Sequence, residues 1–222
     1  MVKQKEPKGS PKESRESREP NDSRQQLLDA GTRLFARGGL EGTSVRDIAR
    51  EAGTNICMIS YHFGGKEGLY RACLQEFGEY RLSLTRGMLE APASLAEFKV
   101  RIKLFLQALV DTNSARPEFS QIIGKEIEAG LPVAADIFEA TFLEAMQNLL
   151  KFFRHAQDVG IVKKDIDPIF IANILYGTVA HLSRCHMVSK KYFKFSLAEQ
   201  KNREKLVDTL VETLMSGVAI QD

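Results

Sequence analysis

Four histidines, three cysteines and one carboxylate set among apolar residues are the reactive groups of this 222-residue chain. His181 and Cys185 stand four apart, which places them on one side of a helix at a spacing compatible with two ligands of a metal site. With His62, His155 and His186 there is no third ligand at a telling distance, so neither a metal nor another cofactor is expected. Cys57, Cys73 and Cys185 are scattered without metal-ligand spacing and read as reduced, mostly buried thiols. No glycine-rich loop follows a strand pattern and no catalytic constellation emerges, which makes an enzyme the poorer reading. The carboxylate is Glu126. It shares a helical stripe with Phe119, Ile122, Ile123 and Ile127. An unpaired buried charge is costly, so Glu126 needs a partner. The choices are an internal one, for instance Arg154 or His155, water reached by a snorkelling side chain, or the cation of a bound ligand.

A second set of side chains is suited to reading a surface rather than to reacting. From Thr43 to Tyr70 the sequence runs T-S-V-R-D-I-A-R-E-A-G-T-N-I-C-M-I-S-Y-H-F-G-G-K-E-G-L-Y. Thr43 or Ser44 can cap a first helix, on which Val45, Ile48, Ala49 and Ala52 share a face. Gly53 closes it, because glycine tolerates a left-handed conformation past a last turn. Asn55 can cap a second helix, in which only Ile59 and Phe63 share an inward face. Ile56, Cys57, Met58, Ser60, Tyr61 and His62 point mostly elsewhere. So short a helix needs a scaffold in water, and its outer face is then free for a partner. This is the layout of a helix-turn-helix, whose second helix enters the major groove of DNA. Ile56, Cys57 and Met58 are not strong hydrogen-bond donors. They can pack on a thymine methyl but cannot make the bidentate contacts that read guanine or adenine. Ser60 and Tyr61 remain as polar readers, with Arg46 reaching in from the preceding helix.

From about Gln25 to Tyr70, including the Y-H-F-G-G-K-E-G-L-Y ending, the chain resembles the N-terminal domain of the tetracycline-repressor (TetR) family. The resemblance implies a ligand-responsive transcriptional regulator, a repressor, that binds a palindromic double-stranded DNA operator as a homodimer and is released by a small effector. By position, Thr43, Arg46, Tyr61, His62 and Lys66 match residues that contact the DNA backbone or its edge; Asn55, Ile56, Cys57, Met58 and Ser60 complete the expected DNA face. The resemblance also implies an apolar pocket among the middle helices. Phe119, Ile123, Glu126, Phe138, Phe142, Met146 and Arg154 are its expected lining, suited to a small apolar or cationic effector. It implies a four-helix dimer bundle as well, with Ile174, Gly177, Thr178, His181, Leu206, Leu210 and Leu214 at the interface. A DNA-binding regulator without an effector is the alternative, with a non-DNA helical interaction protein or an enzyme as the poorer one.

The elements that must position these residues are helices throughout. No segment alternates like a strand. Residues 1–22 are polar and charged and read as a disordered tail, 23–70 as the DNA-binding domain and 71–222 as an effector-binding and dimerisation domain. About nine helices are expected. The first is capped by Asp22 or Ser23 and carries Leu27, Leu28, Gly31, Leu34 and Phe35 inward. The fourth covers about 66–89 and links the two domains. Ser94-Leu95-Ala96-Glu97 is a capping box for the fifth, and the sixth runs from about Pro117. Pro132 is expected to open a long seventh helix ending at Gly160. Asp167-Pro168 starts an eighth that is apolar nearly all round, through Ile169, Phe170, Ile171, Ile174, Leu175, Tyr176 and Val179. The ninth runs from about Ala198 to Gly217. With 31 basic and 29 acidic residues the net charge is +2, so positive charge for DNA must be local. No apolar run is long enough to span a membrane and the N-terminus lacks an apolar signal core, so a cytoplasmic protein is expected.

Overall fold

The computed structural model of the protein describes residues 20–219. The charged tail expected at 1–22 therefore lies outside the described residues, apart from its end, which belongs to the first helix. The fold is all-α, with no strand among the described residues. Ten helices follow one another among the described residues: α1 (Pro20–Gly38), α2 (Val45–Ala52), α3 (Cys57–Phe63), α4 (Lys66–Met88), α5 (Leu95–Ala115), α6 (Pro117–Glu128), α7 (135–158), α8 (Pro168–Arg184), α9 (His186–Phe193) and α10 (Gln200–Val218). Helix α7 has a π-helical segment, Phe138–Leu143, between Ala135–Ile137 and Glu144–Asp158.

Three expectations change. Helix α1 begins at Pro20, so Asp22 and Ser23 lie within its first turn and do not cap it. Pro132 does not open α7. The turn through Gly130 and Leu131, both at positive φ, runs on to Ala134 before the helix starts. A tenth helix, α9, occupies the stretch after Cys185 that had no assigned element. The other caps follow from side-chain chemistry. Ser44 Oγ accepts from Asp47 N at 3.1 Å, and Gly53 closes α2 at φ 65°, a conformation costly for residues with a Cβ. Ser94 accepts from Glu97 N, and the Glu97 carboxylate reaches back to Ala93 N at 2.8 Å. Asp167 accepts from Ile169 N, ahead of Pro168 in the first turn, where a missing N–H costs nothing.

The apolar side chains form two cores. One is built on Phe98, Phe105, Leu106, Leu149, Phe153, Leu175 and Val207, from α5, α7, α8 and α10. The other begins with Leu27, Leu28, Phe35, Ile48 and Ile59 of the first three helices. It continues through Leu69, Cys73 and Phe77 of α4 into Phe119, Ile122 and Ile123 of α6 and Phe142 of α7. Helices α1–α3 are thus not sealed off at residue 70; their core runs on under α6. Arg116 strengthens the junction. It binds Asp29 of α1 at 3.1 Å and Glu76 of α4 at 2.9 Å, with its guanidinium over the Phe119 ring.

Candidate nucleic-acid interface and adjoining cleft

Helix α3 is seven residues long and held from one side. Ile59 is buried in the domain core and Phe63 packs against it. Gly68 of α4 sits against the Phe63 carbonyl so closely that a Cβ would meet its oxygen at 1.8 Å; only glycine lets α4 approach the end of α3 this way. Asn55 Oδ1 accepts from Cys57 N at 2.9 Å and organises the first turn. With one face fixed, Ile56, Cys57, Ser60 and Tyr61 are exposed on the other, Tyr61 at 75%. Arg46 is exposed on α2, and Lys66 is half-buried at the start of α4, where free backbone N–H groups favour an anion.

Three members of the expected DNA face are placed differently. Met58 is half-buried and packs against the core. His62 is also half-buried, with Nε2 2.9 Å from Ser23 Oγ, so its ring is braced against α1. Thr43 is buried, and its hydroxyl donates to the Gly39 carbonyl at 2.7 Å.

Glu126 has its partner, and the partner is not a cation. The carboxylate is buried. One oxygen accepts from Tyr70 Oη at 2.9 Å; the other accepts from Val133 N at 2.9 Å and Ala134 N at 3.0 Å. Ala134 is the N-cap of α7, whose N–H has no intrahelical partner, and Val133 is the turn residue before it; the carboxylate thus also lies at the positive end of the α7 dipole. Burial first, and the Glu126 carboxylate second, hold the Tyr70 phenol above its ordinary pKa, so it remains a donor. Arg154 is exposed and His155 only half-buried, and neither forms an ion pair with Glu126. The motive for a cationic ligand disappears with this arrangement.

A cleft of about 510 Å³ opens between α4, α6, α7 and α8. Of the expected lining, Ile123, Phe138, Phe142 and Met146 are present. Phe119, Glu126 and Arg154 are not; Phe119 instead stacks on Phe77, ring centroids 4.6 Å apart. The π segment supplies Phe138, Phe142 and Leu143 to the wall; such segments often mark functional sites. Five polar residues of the lining were missed: Arg81, Ser120, Asn173, Tyr176 and Arg184. Arg81 had a signal in the sequence. It lies four residues after Phe77 and three before Leu84, a lone cation on the apolar stripe of α4.

The expected dimer residues divide. Ile174 is 61% exposed and its neighbour Phe170 67%. Thr178 is half-buried, its hydroxyl donating to the Ile174 carbonyl. His181 is exposed, with Nδ1 3.9 Å from Cys185 Sγ. Gly177 lines the cleft. Leu206 and Leu210 are half-buried against the chain's own core, and Leu214 is buried within it, which corrects its assignment to an outward face. Among the described residues no group of three or more potential metal ligands is found, and no helix is long and apolar enough to cross a membrane.

Fold and site together define a helix-turn-helix domain of the DNA-binding kind, mounted on a helical body. Residues 27–73 match the family described as bacterial regulatory proteins, tetR family, so this part of the chain is similar to the DNA-binding domain of that family. It is similar to the HTH-type transcriptional repressor AcnR of Corynebacterium glutamicum, 33% identical over 101 residues that cover 41% of this chain and 54% of that protein. It is also similar to the HTH-type transcriptional regulator RutR of Escherichia coli, 31% identical over 120 residues, 54% of this chain and 55% of RutR. The chain thus spans about half the length of these curated relatives. Its fold resembles that of the ketosteroid transcriptional regulator KstR2 of Mycobacterium tuberculosis, with a TM-score of 0.70 and 19% identity over 89% of this chain and 95% of the other.

Proposed function

We propose that this protein is a cytoplasmic transcriptional repressor that binds a palindromic operator as a homodimer and leaves it when a small molecule fills the cleft. The observation that carries the DNA-binding part is the outer face of α3. Ile56, Cys57, Ser60 and Tyr61 are exposed on a helix whose opposite side is anchored by Ile59. Ile56 packs on a thymine methyl, Ser60 and Tyr61 contact polar groups, and Arg46 carries the guanine preference. Lys66 holds a phosphate at the N-terminus of α4. Helix α4 supports the effector part, because it starts beside α3 and passes along the cleft at Arg81. A ligand that prefers one position of α4 disfavours the other, so effector and operator weaken each other's binding reciprocally.

Selection of binding sequences from a random pool tests the reading. An inverted repeat is expected, with at least one thymine in each half-site. Replacing that thymine by uracil removes only a methyl group and should cost about 1 kcal/mol. Lys66→Ala should weaken all sequences alike and reduce the salt slope by about one. An absence of salt-dependent DNA affinity would overturn the function itself. Uracil tolerated at every selected thymine would remove Ile56 from the readout.

A further inference from the structure

The cleft is apolar along most of its wall, through side chains such as Phe138, Phe142, Met146 and Ile169. Its charged lining is of one sign: Arg81 and Arg184, with no acidic residue. Arg81 is the unusual group. Its Nε is buried and without a hydrogen-bond partner, and it forms no ion pair with any described carboxylate. Its neighbour Arg86 on the same helix, by contrast, pairs with Glu144 at 2.6 Å. What surrounds Arg81 is aromatic: the guanidinium carbon lies 5.0 Å from the Phe77 ring centroid, 5.9 Å from Phe142 and 4.9 Å from Tyr176. The Tyr176 hydroxyl is a second buried polar group with no hydrogen-bond partner, and it belongs to the same lining. Burial pulls the Arg81 pKa down from its ordinary value and raises that of Tyr176.

Ring faces attract a cation, but they do not satisfy directed N–H donors. A planar guanidinium matches a carboxylate bidentately, and a buried charge without such a partner is costly to fold around. Two unpartnered donors in an apolar cleft with no competing acid describe one kind of ligand. We propose that the cleft is a binding site for an organic anion, a carboxylate carried on an apolar body, with Arg81 as its anchor. The Tyr176 hydroxyl is the second donor to the carboxylate, and Arg184 adds positive charge. The apolar body lies against Phe138, Phe142 and Met146. The volume suits a ligand of drug-like size. This deepens the effector reading above and depends on it only for the link to operator release. Arg81 lies on α4, so the ion pair forms directly on the helix that leads to the DNA-binding domain.

The test is calorimetric titration of the full-length protein with decanoate, decanol and decylamine, each below its micelle concentration. The three probes share one chain and differ in the head group. Decanoate is expected to bind at least about tenfold more tightly than the other two, as one charge-assisted contact in a dry site implies. Arg81→Gln should abolish that preference, Arg81→Lys should keep part of it, and Tyr176→Phe should weaken decanoate by a few-fold, as loss of one neutral donor implies. Circular dichroism should show all three variants folded; Tyr176→Phe and Arg81→Lys make the test independent of any fault in Arg81→Gln. Equal affinity for the three probes, a preference for the amine, or decanoate binding unchanged in Arg81→Gln would overturn the proposal. Operator release is read separately by anisotropy of a labelled, selected DNA fragment. Arg81-dependent decanoate binding without release keeps the anion site and removes the effector reading. Release by decanol or decylamine with no decanoate binding does the reverse.

Discussion

The cysteines show how one residue type takes opposite roles on neighbouring helices. Cys57 opens α3 on its exposed side. Cys73 lies on the inner face of α4, where its thiol donates to the Leu28 carbonyl at 3.6 Å. Burial pushes the Cys73 pKa up to about 12, so at pH 8 only about one part in ten thousand is thiolate, the reactive form. Alkylation of the native protein should therefore modify Cys57 first and spare Cys73 until the chain unfolds. Bound operator DNA should slow modification at Cys57. Mass spectrometry of timed samples checks both points; Cys73 reacting as fast as Cys57 would show that the α1–α4 core opens far more readily than its packing implies.

At the level of the element, α7 depends on a side chain from α6. Its entry has no local side-chain cap, and Glu126 supplies the acceptor for Val133 N and Ala134 N while also holding Tyr70. One carboxylate thus fastens α4, α6 and the start of α7 together beside the cleft. Replacing it by alanine leaves three donors without their acceptor, and the expected destabilisation is on the order of 3 kcal/mol. Glu126→Gln keeps a carbonyl oxygen and should cost less. Urea unfolding measures both; a loss below about 0.5 kcal/mol for Glu126→Ala would mean that water replaces the carboxylate without penalty. Neither change should create or remove a preference for cationic ligands, because the group is satisfied within the chain.

For the whole molecule the question is which apolar surface remains after the chain has folded. On α8, Ile171, Leu175 and Val179 face inward, while Phe170 and Ile174 are more than half exposed. On α10, Val207, Val211 and Leu214 are inside. A charge at Ile174 should leave the subunit folded and separate the proposed dimer. The same change at Leu214 should unfold the subunit, since it buries an unpaired charge. We expect Ile174→Glu to sediment as a helical monomer with greatly weakened operator binding, and Leu214→Glu to lose its cooperative thermal transition. A dimeric Ile174→Glu would place the interface on another face.

The sequence by itself determined the helices and the reading head. Caps such as Ser44 and Asp167, the stop at Gly53 and the inward face marked by Ile59 are local signals, set within a few residues by backbone hydrogen bonding and helical period. It also showed that Glu126 needed a partner, but not which one, because Tyr70, Val133 and Ala134 reach it only through the packing of three helices. The π segment of α7 was hidden for a related reason: its side chains fit a regular apolar stripe, and its wider turn is seen only in the folded chain. Arg81 was visible as a cation on an apolar stripe. Only the tertiary structure decided that no carboxylate meets it and that it faces a cleft, since the charges around a buried group come from helices distant in sequence. The same holds for Leu214 and Ile174, each on an apolar face of its helix: pattern alone marks each as needing cover, and packing decides which of them the chain covers for itself.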